Sequence, residues 1–298
     1  MYNQICYNYY NYKLKRYTML FKIVSDSSAN LHNISSDVPF ESVPMKIIAG
    51  EKEFVDDTDL NLGEMLNHLE NHKGKSGSSC PSISDWTTAF GDAENVLCFT
   101  ITSNLSGAYN SAYQAKKFYE EAHPERKVYV CDTLSTGPEM KLLIEKAVEL
   151  IKKGIDFEGI RNAIIKYKEK TALLFSLESL KNLANNGRVS PLVAKVAGVL
   201  GIRVVGKASD EGTLEPMDKC RGAKKAIERI VFRMQEMGFK GGKVRIDECE
   251  NPTDAKTLKE LILSKHPAAD VIIERVHGLC GFYAEKGGMI IGFEKLGA

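Results

Sequence analysis

The strongest constraint on this chain is a grammar that its front half repeats three times: short apolar run, polar turn, helix. FKIVSDSSANL is the first copy, with a strand over 21–24. ENVLCFTITSNLSGAYNSAYQAKKFYEE is the second. RKVYVCDTLSTGPEMKLLIEKAVELIKKG is the third, where Pro138 and Glu139 suit the first turn of a helix. Strands that alternate with helices form a mostly parallel sheet covered by those helices. Ligands of such sheets sit at the carboxyl ends of strands, where these turns fall. DLNLGEMLNHLENHKG reads as a further amphipathic helix ended by Gly74. KSGSSCPSISDW reads as a fixed turn around Pro81 rather than a strand interior.

The rhythm changes near residue 172. TALLFSLESLKNLANNGRVSP gives a strand, a short helix and a turn at Asn186-Gly187, and LVAKVAGVLG continues as a small-residue helix. IRVVGKASDEGTLEPMDKCRG reads as two strands joined by a hairpin at 210–212. AKKAIERIVFRMQEMG is an amphipathic helix, and strands and a helix alternate to the end. The expected fold is α/β, in two α/β domains with a ligand between them. Residues 19–171 carry a mostly parallel, helix-covered sheet, and 172–298 a mixed or antiparallel one. The leader at 1–18, MYNQICYNYYNYKLKRYT, lacks the apolar centre of a signal peptide and is set outside the fold.

Composition removes several function classes. Forty basic residues against thirty-nine acidic ones leave a net charge of +1, so no excess charge draws nucleic acid or an anionic membrane. No apolar run reaches the roughly 18 residues of a membrane span. The seven cysteines are never spaced C-x-x-C, which points to a reducing compartment, the cytoplasm. Cys98 and Cys131 lie in apolar runs and serve as small hydrophobes. GIRVVGKA has phosphate-loop spacing but falls in a strand and lacks Ser or Thr after Lys207. The histidines read mostly as solvated surface groups, including His68 and His72, four apart on one helix. Neither a metal nor a cofactor is expected.

The hydroxyls remain. Thr102, Ser103 and Ser106 stand between a strand end and a helix start, and Gly107 lets a ligand approach the backbone. A helix cap worth about 1 kcal/mol accounts for one serine. A second cluster, Ser78, Ser79 and Ser82, lies beside another helix start, and two such clusters favour an anion site. Neither loop contains Lys or Arg, so the donors are neutral hydroxyls and amides.

From about residue 20 to its end the chain resembles the DegV family of bacterial fatty-acid-binding proteins, the binding subunits of fatty acid kinase. IVSDSSANL resembles the family's opening strand and turn, SSCPS its Thr-Ser-Gln-Pro-Ser stretch, and ITSNLSGAYNSA its Ser-x-Leu-Ser-Gly-Thr-Tyr block. VCDTLSTG, NLANNGRVS and IRVVGKASDEGTLEPMDKCRG match later blocks in order. The resemblance implies a non-catalytic protein that buries a long-chain fatty acid in a tunnel and presents it to an ATP-dependent kinase subunit. It assigns the carboxylate to Ser78, with Ser79 beside it, and to the Ser103–Ser106 loop; backbone amides near Gly107 join them, and Ser106, which precedes Gly107 at the helix start, is favoured for the direct contact. Arg188 falls on the family's Gly-Gly-Arg turn. The family's Gln is Cys80 here, and its His-x-Gly-Pro-Gly is missing, the histidine's place falling near Ala284 or Glu285. Tyr283 is then a replacement hydroxyl for the head group. LVAKVAGVLG and TALLFSLESL are candidate tunnel walls. Two other readings stay open: a sugar-phosphate enzyme using the same hydroxyl loop, and a lipid-binding module without a kinase.

Overall fold

The computed structural model describes residues 20–190 and 201–295. The leader at 1–18 and the helix expected from LVAKVAGVLG, but for Gly201, lie outside them.

Along the front half run β1 (Phe21–Asp26), a 3-10 turn (Ser27–Ala29), β2 (Phe40–Val43), β3 (Lys46–Ala49), β4 (Lys52–Val55), α1 (Leu62–Asn71) and β5 (Ser76–Ser79). They are followed by α2 (Ile83–Phe90), β6 (Asn95–Thr100), α3 (Ala108–Ala122), β7 (Lys127–Asp132), α4 (Gly137–Lys152) and α5 (Phe157–Lys168). The back half contains β8 (Thr171–Leu177), α6 (Lys181–Asn185), β9 (Ile202–Ala208), β10 (Leu214–Arg221), α7 (Ala223–Glu236) and β11 (Lys243–Glu248). It ends with α8 (Pro252–Lys265), β12 (Asp270–Arg275), α9 (Gly278–Ala284) and β13 (Met289–Glu294). Among the described residues no helix is long and apolar enough to cross a membrane.

The three repeats supply β1, β6 and β7 of a four-stranded sheet in the order β2-β1-β6-β7, parallel throughout. The second sheet is mixed, β10-β9-β8-β13-β11-β12, with only β11 and β12 parallel. β8 lies inside this sheet and is buried on both faces. Its period of two sends Ala172 and Leu174 to the core under α7 and α8, and Leu173, Phe175 and Leu177 to the opposite core.

Two local expectations are corrected. Ser76–Ser79 is a strand, not a turn: β5 pairs antiparallel with β3, Ser78 opposite Ile47. As the outer strand of a small sheet ordered β4-β3-β5 it needs only a backbone ladder on one side, which four small residues supply. The Pro81 turn follows it, and Ser82 caps α2 in a reciprocal pair with Asp85. The helix expected to end at Gly74 ends at Asn71, because His72 is already extended. This small sheet and α1 bury Ile47, Phe54, Met65 and Leu66 against Leu173, Phe175 and Leu177 of β8.

α4 lies between the two large sheets, and all its residues from Gly137 to Ile144 are buried. It packs so tightly on β13 that a Cβ at Gly292 would stand 2.5 Å from the backbone of Pro138 and Glu139. Its Lys141, 2% exposed, donates to Asp247 of β11 at 2.7 Å and to Glu274 of β12 at 2.6 Å. Burial opposes the Lys141 charge, but the two carboxylates hold its pKa above the ordinary value.

Candidate functional site

The carboxyl ends of β1, β6 and β7 point toward the six-stranded sheet, and a cavity of about 320 Å³ lies where they meet it. Its apolar wall comes from β8 (Leu173, Phe175 and Leu177), with Leu183, Leu214 and Ile290 around it. Its polar end is built by three segments. The loop after β6 brings Thr102, Ser106 and Gly107, the end of β5 brings Ser78 and Ser79, and α9 brings Tyr283.

Local sequence explains these positions. β6 ends at Thr100, and the loop turns back so that the Thr102 amide donates to the Ser135 carbonyl at 2.9 Å. Gly107 is the N-cap of α3 and offers no side chain. The Ser106 hydroxyl accepts from the Ala108 amide at 3.2 Å and so takes the capping role. A Cβ on Gly107 would stand 3.2 Å from the Cys80 sulfur, so glycine lets the two hydroxyl segments come together. Ser78 Oγ and the Tyr283 hydroxyl, both in the lining, are hydrogen-bonded at 2.9 Å.

The residues singled out in the sequence converge except for Ser103 and for Ser82, which caps α2. Ser78, Ser79, Ser106, Gly107, Arg188 and Tyr283 all line the cavity. Ser103 does not line it: its amide donates to Asp132 at 3.1 Å, which turns the residue toward β7. Arg188 crosses between the halves, its Nε donating to the Leu105 carbonyl at 3.2 Å and its Nη1 to the Asn186 carbonyl. Among the described lining residues it is the only Lys, Arg or His, and none is Asp or Glu.

Sequence reasoning missed Met45, Ile101, Thr136, Cys280 and the hairpin at 212–214, which also line the cavity. For the hairpin the sequence carries a signal, the turn at 210–212, but nothing in the chain shows that it reaches across to the β6 loop. There the Asn104 side-chain Nδ2 donates to the Glu211 carbonyl at 2.5 Å. A Cβ on Gly212 would stand 2.3 Å from the Thr102 hydroxyl.

The histidines need correction too. His277 is half-buried, with its ring stacked on His32 at 4.0 Å and 20°. Burial, then the His32 and Lys141 charges, push its pKa down to about 3. His32, His277 and Asp56 offer ligand atoms within 4.8 Å of one another. An imidazole lone pair lies in its ring plane, so two face-stacked rings cannot aim both at one cation. Asp56 already accepts from Ser27 Oγ at 2.8 Å and from the Gly278 and Leu279 amides at 2.6 and 2.9 Å. The cluster as it stands caps α9 rather than holding a metal. Glu285, near the family's histidine position, lies outside the cavity and accepts from Ser179 Oγ at 2.9 Å and the Asn182 amide at 3.1 Å.

The site thus defines an α/β protein whose cavity between the two large sheets joins an apolar wall to a cluster of hydroxyls. The DegV family model matches residues 20–296, and the chain belongs to the DegV family. It is 41% identical over 279 residues to a DegV domain-containing protein of Streptococcus pneumoniae, covering 93% of this chain and 99% of that one. Two solved structures superpose closely. One is the S. pneumoniae fatty acid kinase (Fak) B3 protein loaded with linoleic acid (TM-score 0.91, 41% identity, 92% of this chain and 99% of that one). The other is a DegV family protein of Eubacterium eligens loaded with heptadecanoic acid (TM-score 0.91, 43% identity, 92% and 99%).

Proposed function

We propose that this protein binds a long-chain fatty acid in the cavity. The tail lies along Leu173, Phe175 and Leu177, and the carboxylate is held by Ser78, Ser106 and the amides near Gly107, with Arg188 as the nearby cation. The observation that carries this reading is the division of the lining into an apolar wall and a hydroxyl end with one guanidinium and no carboxylate. An anion entering that end meets donors and no carboxylate among the described lining residues. The tail provides the affinity: at about 0.8 kcal/mol per methylene, a sixteen-carbon chain offers on the order of 10 kcal/mol. The hydroxyls then need only offset desolvation of the head group. Relatives loaded with linoleic and heptadecanoic acid support the same ligand class.

The protein's role is to hold the acid and hand it to a separate ATP-dependent kinase subunit, which phosphorylates the presented carboxylate. The likeness to the Fak B3 protein supports that partner. The lining offers no carboxylate or imidazole among its described residues for acid–base work on a sugar phosphate, which favours holding over turnover. The deciding experiment is organic extraction of the purified protein followed by mass spectrometry, expected to release fatty acid. Protein that carries none, and shows no thermal shift with palmitate or oleate, ends the reading.

A further inference from the structure

The turn at 26–30, DSSAN, closes β1 and is buried throughout, with Asp26, Ser27 and Ser28 at 0% exposure and Asn30 at 3%. None of its residues lines the cavity, yet its bonds reach each segment of the polar end. Asp26 Oδ2 accepts from the Ile101 amide at 2.8 Å, at the root of the loop that carries Ser106. Its Oδ1 accepts from the Ser28 amide at 3.1 Å and from the Ser28 hydroxyl. Ser27 Oγ accepts from the Met45 amide at 3.0 Å, just before the strand that pairs with Ser78, and donates to Asp56. Asp56 in turn takes the first two amides of α9, the helix of Tyr283. The Ser28 carbonyl accepts from Thr136 Oγ1 and from the Cys280 thiol, both at 3.4 Å, and both residues line the cavity.

Two buried carboxylates behind a site for a carboxylate are electrostatically costly, so a neutral amide would be expected if it served. It does not serve. Asp26 and Asp56 each accept from three donors, whereas an Asn offers one oxygen and adds two donors of its own.

We propose that the buried turn at 26–30 is the positioning element of this site. Through the carboxylates of Asp26 and Asp56 it aims the loop of Ser106 and the helix of Tyr283 at the ligand's head group. Asp26 and Asp56 are positioning residues that touch no ligand atom. The inference rests on the fatty-acid reading above and adds to it the source of head-group selectivity.

The test compares palmitate with hexadecanol, which share a tail and differ in the head group, by competition against a bound fluorescent fatty acid. Asp26→Ala and Asp56→Ala are expected to weaken palmitate binding about tenfold or more, the loss of roughly one charge-assisted contact. Hexadecanol affinity should stay within about twofold, because the apolar wall is untouched. Asp26→Asn keeps an oxygen for Ile101 and should fall between wild type and alanine. Equal losses for both lipids, or unchanged palmitate binding in folded variants, overturn the proposal. If the alanine variants fail to fold, Asp26→Asn and Ser27→Ala decide by the same palmitate-to-hexadecanol ratio. Wild-type protein that binds neither lipid overturns the fatty-acid reading instead, and is seen before any variant is made.

Discussion

The parallel sheet meets the cavity with loops, at 101–107 and 134–136, whereas the six-stranded sheet meets it with the face of a strand, Leu173, Phe175 and Leu177. The loops are fixed by hydrogen bonds to buried polar groups such as Asp26 and Ser135. The strand is fixed by its ladders to β13 and β9 and by burial on both faces. Directional contacts hold polar atoms at chosen points, and non-directional burial holds a surface whose details can vary. One half of the molecule is therefore suited to reading a head group and the other to accepting a chain.

The two halves meet at the buried Lys141. Lys141→Ala leaves Asp247 buried without its cation, and the expected cost is about 3–5 kcal/mol, read by denaturant unfolding. Glu274→Ala removes the partner that is 47% exposed and should cost under about 1 kcal/mol. Equal effects would mean that the two sheets do not depend on this buried contact.

A pH titration sharpens the contrast between the polar loops and the apolar wall. Burial, opposed by the bonds from Ser28 and Ile101, raises Asp26 from 3.8 to about 6. The folded protein therefore holds a proton that the unfolded chain has released across that interval, and stability falls as pH rises from about 4 to 6. The contribution is fully present below pH 3.8 and lost above about 6, on the order of 2–3 kcal/mol. Asp26→Asn should remove this component of the slope, measured by urea midpoints against pH. A slope unchanged in the variant would assign it to other buried carboxylates, such as Asp56 and Glu139, which burial also raises.

Legibility in the sequence differed within the front half itself. Long periodic segments, β6 with α3 and β7 with α4, stood out because each strand is apolar throughout and each helix keeps one apolar stripe. β3, β4 and β5 did not. They are four residues each, too short to show a period, and the turn between β3 and β4 rests on the lone Gly50, whose φ is +64°. α2 carries its start signal in the sequence, the capping box of Ser82 with Asp85 directly after Pro81. At the site, hydroxyls beside helix starts were visible as a local pattern. Which of them faces the cavity was not, since Ser103 and Ser106 differ only in the turn that Asp132 and Ala108 impose. The supporting role of Asp26 and Asp56 was invisible for a further reason: the partners that link them to the site, Ile101 and Gly278, lie 75 and 222 residues away along the chain.

The smallest expected effect is the sharpest for the ligand site. Ser106→Ala removes a cavity-lining hydroxyl while leaving the apolar wall whole, so palmitate binding should weaken about tenfold. It also removes the acceptor for the Ala108 amide, which should lower stability by about 1 kcal/mol. Glu260→Ala, on the exposed face of α8 and far from the cavity lining, is the matched surface change and should alter neither quantity. Because the tail supplies most of the affinity, the Ser106 variant should still bind palmitate. Complete loss would mean that the hydroxyl end, not the β8 wall, provides the main driving force. A loss no larger than that of Glu260→Ala would move the carboxylate away from the β6 loop and toward Ser78 and Tyr283.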